Sequence, residues 1–310
     1  PGIKPLRRRD SHHPGAALAG LTRSKGRFMI PFDIEYARPS SAEEAAALFQ
    51  EATEAGRSVR YLSGGTELVT MARDGKMTFD ILIDLKSIPE TTALDDAEGT
   101  YGACRRLSEL TDGSSVSLIR DAARGVADRT VRNSITLGGN VCGMLPYREM
   151  LLPFLLFDGT ATLVGPRGRR SAALREIFDK RLRLETGEFL LSLHARENVQ
   201  SARYFYRRRT RGPRVDFPLV TLCMARLGDE YRLAVGGAFG YPVRDSGVEQ
   251  TVTTGAATAR DQATRERLAA EAAEAYQDNF WSDLRGSADY RQALLTLSIA
   301  EGLEALGGTE

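Results

Sequence analysis

The hydrophobic positions fall into two rhythms, and their alternation along the chain predicts the elements. Over residues 41–55 they return every three or four positions in an Ala-rich stretch, the period of a helix packed on one face. Ser41-Ala-Glu-Glu44 opens it as a capping box, with the Ser hydroxyl accepting from an early backbone N–H and the Glu reaching back; Gly56 closes it. Residues 58–62 read as a strand that runs into Ser63-Gly-Gly-Thr66. A short helix over 67–73 and a strand over 81–85 complete a β-α-β unit. A second long helix is predicted over 114–127, followed by a turn at Thr136-Leu-Gly-Gly-Asn140. Next come an apolar helical segment over 147–157 and strands over 160–164 and 188–193. From about Ser201 the rhythm changes to strands over 202–207, 218–226 and 231–235, then to helical patterns over 260–277 and 287–306. Strands followed by helices suggest a separate α+β domain at the C-terminus.

Composition narrows this picture. The chain has 310 residues, 42% hydrophobic and 27% charged, as an ordinary globular protein of two or three domains does. Its longest strongly apolar run, residues 150–157, is far shorter than the roughly 18 residues of a membrane span, so no membrane association is expected. The formal net charge of +1 conceals an asymmetry: residues 1–28 carry +6 and the remainder −5. We read residues 1–28 as a disordered basic extension or a cloning remnant, not as a nucleic-acid-binding arm. With the change of pattern near Ser201, a C-terminal domain over 200–310 is expected; the family resemblance described below implies the division of the rest into 29–86 and 87–199. Three scattered cysteines without a CxxC exclude a disulfide framework and an iron–sulfur site, and they favour a reducing, cytoplasmic setting. With His12 and His13 in the tail and only His194 in the body, histidine-based metal sites and Ser-His-Asp catalysis are excluded by inventory, and no metal site is expected.

The two glycine-rich turns carry the chemistry. A glycine pair after a strand lets backbone N–H groups converge and removes the side chains that would hold a phosphate away. At Ser63-Gly-Gly-Thr66 the turn leads into a helix start, where unpaired N–H groups and the macrodipole add to the attraction for an anion, and two hydroxyls stand at the mouth. At the second turn Thr136 and Asn140 bracket the glycines with a hydroxyl and an amide. Neither turn matches the GxGxxG or P-loop fingerprints. Each alone is as compatible with a tight turn as with a ligand; two in one chain suggest a pyrophosphate-containing ligand.

The order and spacing of these residues go further. Leu62-Ser-Gly-Gly-Thr-Glu-Leu68, Val131-Arg-Asn-Ser-Ile-Thr-Leu-Gly-Gly-Asn140, Pro146 with Leu151-Leu-Pro-Phe-Leu-Leu-Phe-Asp158, and Arg285-Gly-Ser-Ala-Asp-Tyr-Arg291 occur in sequence. Together they resemble the FAD-binding medium subunit of the xanthine dehydrogenase and carbon monoxide dehydrogenase family of molybdenum hydroxylases. The resemblance covers nearly the whole body. It implies an α+β fold: a two-subdomain FAD-binding unit of the PCMH type and a C-terminal domain with a three-stranded antiparallel sheet and helices. It implies that Ser63, Gly64, Gly65, Thr66 and Glu67 wrap the FAD pyrophosphate through backbone N–H groups, with Leu62 just before them also binding the cofactor. By the same resemblance Thr136, Gly138, Gly139 and Asn140 bind its phosphate and ribityl side, Glu149 bonds the adenosine ribose, Leu190 lies beside the isoalloxazine and Arg208 near its carbonyl edge. The chain departs from the family at Gly143, where a polar residue is frequent, at Leu145, where a hydroxyl is common, at Glu149 for Asp, and at Arg208 for Lys.

Other features have plainer readings. Arg203, Arg207, Arg208, Arg209, Arg211 and Arg214 around Tyr204, Phe205 and Tyr206 read as a solvated or partner-facing strand, His194 as a residue without chemistry, and Cys142 as a buried space-filling thiol. No catalytic acid or base is expected on this chain. The resemblance implies an electron-transfer flavoprotein subunit beside an iron–sulfur small subunit with two two-iron, two-sulfur clusters and a molybdenum-cofactor large subunit, with NAD+ or another acceptor receiving the electrons. A self-sufficient flavin oxidase and an FAD-free scaffold are the alternatives.

Overall fold

The computed structural model describes residues 22–23, 30–195, 199–212, 215–277 and 279–307. Its first unit comprises β1 (Thr22–Arg23), β2 (Glu35–Ala37), α1 (Ala42–Glu54), β3 (Val59–Leu62), α2 (Leu68–Arg73) and β4 (Ile81–Asp84). These strands form a sheet in the order β1-β2-β4-β3, with β2 and β3 parallel to β4 and β1 antiparallel to β2. β1 lies inside the segment expected to be without structure, as an added edge strand. β4 is buried at every position, as a central parallel strand must be. Ser41 caps α1 by accepting from the Glu44 N–H at 3.1 Å, and Glu44 reaches back to the Ser40 N–H at 2.7 Å, one residue beyond the position a capping box predicts.

The second unit runs through β5 (Leu94–Asp95), β6 (Thr100–Gly102), α3 (Leu107–Gly113), α4 (Ser117–Gly125), α5 (Arg129–Arg132), α6 (Leu137–Cys142), α7 (Leu152–Leu156), β7 (Thr160–Gly165), β8 (Gly168–Ala173), α8 (Leu174–Ile177), β9 (Phe178–Asp179), β10 (Arg181–Leu182) and β11 (Phe189–His194). Five strands pair antiparallel in the order β5-β6-β11-β7-β8. The apolar run expected as one helix over 147–157 is a 3₁₀ turn, Glu149–Leu151, followed by α7, because Arg148 takes a left-handed backbone (φ +37°) just before it and delays the helix.

The third unit is the expected three-stranded antiparallel sheet, β12 (Arg203–Thr210), β13 (Pro218–Leu227) and β14 (Glu230–Gly236), covered by α9 (Ser246–Ala256), α10 (Gln262–Glu274) and α11 (Ala288–Gly307). The Arg285–Arg291 motif has a structural purpose here. Arg291 is fully buried, donates to the carbonyls of Leu219 (2.9 Å) and Gly237 (2.8 Å), pairs with Asp283 (2.7 Å) and lies over the Trp281 ring. Burying a guanidinium requires its charge to be compensated, which Asp283, the two carbonyls and the ring do here, although Nε has no hydrogen-bond partner among the described residues.

The basic β12 is solvated in part: Arg203 and Arg207 are exposed, as expected, while other positions are half-buried against the rest of the molecule. Arg207 and Arg209 both pair with Glu301 on α11, and Arg208 points inward; Arg214 lies outside the described residues. Cys223, Ala225 and Ala234 of the third unit join the core of the second. The first unit packs its helix face against Val164, Phe189 and Leu191 of the second. No helix of the described residues is long and apolar enough to cross a membrane.

Candidate functional site

The end of β3, the start of α2 and the N-terminal end of α6 meet at a cleft of about 320 Å³ between the first two units. β3 delivers Leu62 and Ser63 to its rim. Gly65 then turns the chain with φ +73°, a conformation that favours glycine. A Cβ at Gly64 would collide with the carbonyl of Ser134, so the first turn is pressed against the segment that leads into the second. At Gly138 a Cβ would come within 2.7 Å of Ala103 Cβ. Both glycines permit close approach of two backbones.

Hydroxyl groups tie the two turns together. Thr136 Oγ1 accepts from the Gly139 N–H (3.1 Å) and lies 2.8 Å from Ser63 Oγ, which in turn donates to Cys104 Sγ at 3.1 Å. Burial pushes the Cys104 thiol up, which keeps it protonated and inert. From below, Lys86 Nζ donates to the Ser63 carbonyl (2.9 Å) and pairs with Asp84 (2.7 Å), which also accepts from Tyr36. Burial alone would raise the Asp84 carboxyl, but the hydrogen bonds from Lys86 and Tyr36 outweigh it and hold the group below its ordinary 3.8.

The two turns are unequal as anion cradles. In the second, expected as an open turn, Thr136 is the N-cap of α6, and the N–H groups already have acceptors: Leu137 on Arg105 O, Gly138 on Ala103 O, Gly139 on Thr136 Oγ1 and Asn140 on Thr136 O. In the first, the N–H groups of Gly64, Gly65, Thr66, Glu67 and Leu68 find no acceptor among the described residues. α2 and α6 have six residues each, so their dipoles are small and the free N–H groups of the first turn are the principal donors.

The cleft brings together Leu62, Ser63, Gly64, Gly65, Thr66, Glu67, Thr136, Gly138, Gly139 and Leu190. Leu190 sits where the β11–β7 register shifts, a bulge that re-aims side chains at the cleft edge. Glu67 turns its carboxylate across the gap, where it accepts from the N–H groups of Met144 (2.7 Å) and Leu145 (3.0 Å). That contact explains one departure from the family pattern. A Cβ at Gly143 would stand 3.0 Å from Glu67 Oε2 and 2.7 Å from the Gly139 carbonyl, so no side chain fits between them.

Three expected residues are not on the cleft wall. Asn140 Oδ1 accepts from the Met150 N–H at 3.0 Å. Glu149 is buried and accepts from Arg208 Nε (2.8 Å), Arg208 Nη2 (3.3 Å) and Thr221 Oγ1 (2.8 Å), which occupies both carboxylate oxygens. A buried carboxylate needs a compensating charge, and Arg208 supplies it instead of reaching into the cleft. Cys142, by contrast, is not a buried filler: it is exposed on the cleft wall. His194 is half-buried and hydrogen-bonded to Thr100, Thr162 and Ser192, and burial lowers its pKa, as suits a structural imidazole. Among the described residues no group of three His, Cys, Asp or Glu side chains converges to hold a metal ion.

The sequence reading did not single out Cys104, Lys86 and Met144; Cys142 it placed beside the proposed cofactor, two residues after Asn140, but read as buried. Of the others only Lys86, a cation two residues past a strand-end Asp, left a trace in the sequence.

Comparison with known proteins gives a consistent result. The model of the FAD binding domain in molybdopterin dehydrogenase matches residues 31–195. The chain is 25% identical to the xanthine dehydrogenase FAD-binding subunit of Escherichia coli O157:H7 over 71% of this chain and 80% of that one. It is 29% identical to the carbon monoxide dehydrogenase medium chain of Afipia carboxidovorans over 53% of this chain, but that alignment spans only 59% of the relative. Among solved structures, the reconstituted CO dehydrogenase from Oligotropha carboxidovorans superposes with a TM-score of 0.77 at 22% identity, covering 90% of this chain and 99% of that one, which establishes a shared fold.

Proposed function

Because this chain belongs to the family of FAD-binding domains of molybdopterin dehydrogenases, we propose that it is the electron-transfer subunit of a molybdenum hydroxylase, receiving electrons from iron–sulfur clusters on a small subunit and passing them to NAD+ or another acceptor. In this reading the large subunit carries the molybdenum cofactor and hydroxylates the organic substrate, and the assembly works in the cytoplasm. The reading rests above all on one observation: five successive backbone N–H groups, Gly64 to Leu68, have no acceptor among the described residues, and they belong to a cleft that Thr136 and Leu190 also line.

The residues present fit FAD. The first turn offers convergent donors for a diphosphate, the glycines leave room for it, and the apolar edge at Leu62, Leu68 and Leu190 suits a flat ring. When bound, FAD accepts electrons singly and gives them up in pairs, which joins one-electron clusters to a two-electron acceptor. The protein's own work is positional. Ser63 and Thr136, joined hydroxyl to hydroxyl, hold the two units at a fixed separation, and Glu67 fixes the loop bearing Met144 and Leu145 over the opening. Glu149 and Arg208 act from behind, tying the segment after the second turn to the third unit's sheet.

The test is spectroscopic. Coexpressed with its partner subunits, the chain should purify with a flavin absorbance that bleaches when a purine or N-heterocycle is added. A complex without flavin, or one whose flavin stays oxidised with every substrate that reduces its metal centres, would overturn the proposal.

A further inference from the structure

The carbonyl groups of the first turn are engaged even though its N–H groups are free. Gly65 O accepts from the Val69 N–H (2.9 Å), Thr66 O from Thr70 Oγ1 (2.8 Å) and Glu67 O from the Met71 N–H (2.9 Å), all of them neutral donors within the turn and its helix. The Ser63 carbonyl differs. It accepts from Lys86 Nζ at 2.9 Å, a charged donor that arrives from beyond the end of β4, 23 residues along the chain.

Lys86 is held in place for this contact. Its ammonium pairs with Asp84 Oδ1 (2.7 Å), and its own backbone N–H donates to the same oxygen (3.0 Å). Asp84 is buried, and Tyr36 donates to its other oxygen. The flexible stem is thereby anchored at both ends, so the ammonium stays on Ser63 although the side chain is 41% exposed.

Ser63 and Gly64 line the cleft, and Lys86 does not. The peptide between Ser63 and Gly64 joins the two sides. It is trans, so its carbonyl and its N–H point in opposite directions. The carbonyl meets a cation on one side; the N–H, on the other, has no acceptor among the described residues. A hydrogen bond to a carbonyl polarises the whole amide and makes its N–H a stronger donor, and a charged partner does this most. Asp84 offsets the ammonium's longer-range field, so the influence of Lys86 passes through the peptide.

We propose that Lys86 is a positioning residue for the cofactor's diphosphate: bonded to the Ser63 carbonyl, it fixes the Ser63–Gly64 peptide and strengthens the Gly64 N–H as a donor to phosphate. The inference rests on the FAD reading above and adds which side chain sets the strength of the cradle from behind. A purely structural role for the Lys86–Asp84 pair makes a different prediction once both charges are removed together.

FAD is titrated into the flavin-free full chain and followed by flavin fluorescence, for the wild type, Lys86→Met, Lys86→Arg and the double variant Asp84→Asn/Lys86→Met, with urea unfolding of each alongside. Lys86→Met should bind FAD roughly three- to tenfold more weakly. Lys86→Arg keeps a charged donor and should bind FAD as the wild type does. Because Lys86→Met leaves a buried carboxylate without its cation, it should also unfold more readily; the double variant removes that charge and should regain stability without regaining affinity. The phosphorus magnetic resonances of bound FAD should shift in both variants that lack the cation and stay in place in Lys86→Arg. Equal FAD affinity in Lys86→Met would overturn the proposal. So would recovery of affinity in the double variant, which would make Lys86 a stabiliser of the fold alone. A wild type that binds no FAD would overturn the flavin reading together with this one. Bleaching of the flavin by substrate in the assembled complex is read separately, so the electron-transfer reading can fail while the role of Lys86 stands, and the reverse.

Discussion

A methyl group at position 64 would have nowhere to go, because the carbonyl of Ser134 occupies the space where a Cβ would stand. Gly64→Ala should therefore lower stability by about 1–3 kcal/mol, the usual range for overpacking, and weaken FAD retention by displacing the first turn. Urea unfolding and flavin content of the purified variant measure both effects; a variant that keeps wild-type stability would show that the two backbones are not in contact. The Glu149–Arg208 pair makes a different prediction. Both carboxylate oxygens are engaged away from the cleft, so Glu149→Ala should cost about 3–5 kcal/mol of stability by leaving a buried guanidinium unpaired. FAD affinity, measured at a temperature where the variant is folded, should change far less. The close backbone approach at the glycines was legible in the sequence because it is local. The pairing of Glu149 with Arg208 was not, because that partner is 59 residues away, on a strand whose facing residues no local pattern reveals.

Elements, unlike single residues, fix the relation between the two turns. β4 ends on Asp84, and through Lys86 that carboxylate supports the Ser63 carbonyl beneath the first turn. Since hydrogen bonds hold Asp84 below its unfolded 3.8, its contribution to stability is complete above that value and is lost as pH falls through the lower folded value. Wild-type stability should thus decline more steeply than that of Asp84→Asn, which has no such proton to take up, as pH falls from about 5 through the ordinary carboxylate range and below it; identical acid limbs for the two proteins would refute this. On the opposite wall, removing the Glu67 carboxylate (Glu67→Ala) frees the Met144 and Leu145 N–H groups. Charge-assisted bonds of this kind contribute about 1.5–3 kcal/mol, so FAD should dissociate roughly tenfold or more faster. Long periodic elements such as α1, β11 and α11 were legible in the sequence. β8 was not, since this polar edge strand, Gly-Arg-Arg-Ser-Ala-Ala, buries little and shows no alternation. α9 was also missed: it is rich in Thr and Gly, which form helices poorly, and it is held by its Asp245 cap and by the burial of Val248 and Val252.

At the scale of the whole molecule, the three units do not have three independent cores. Residues of β13 and β14 belong to the core of the second unit, and the helix of the first packs on strands β7 and β11 of the second. The boundaries expected from the element pattern and the family resemblance, after residues 86 and 199, are crossed by apolar contacts that sequence alone cannot display, because they join positions far apart in the chain. Cooperative unfolding follows from shared burial. The single tryptophan, Trp281, reports on the third unit, where it lies over the guanidinium of Arg291, whereas far-ultraviolet circular dichroism reports on all three. The two signals should change together in one thermal transition. In the binding mode proposed above FAD occupies the cleft between the first and second units, yet binding to the native state alone stabilises whatever unfolds with that cleft, by about 2.7 kcal/mol at a free concentration of 100 Kd. Added FAD should therefore raise the tryptophan midpoint as much as the dichroism midpoint. A tryptophan transition that ignores FAD, while the dichroism shifts, would mean that the third unit unfolds on its own and that the burial shared across β13 and β14 is too weak to couple it to the flavin.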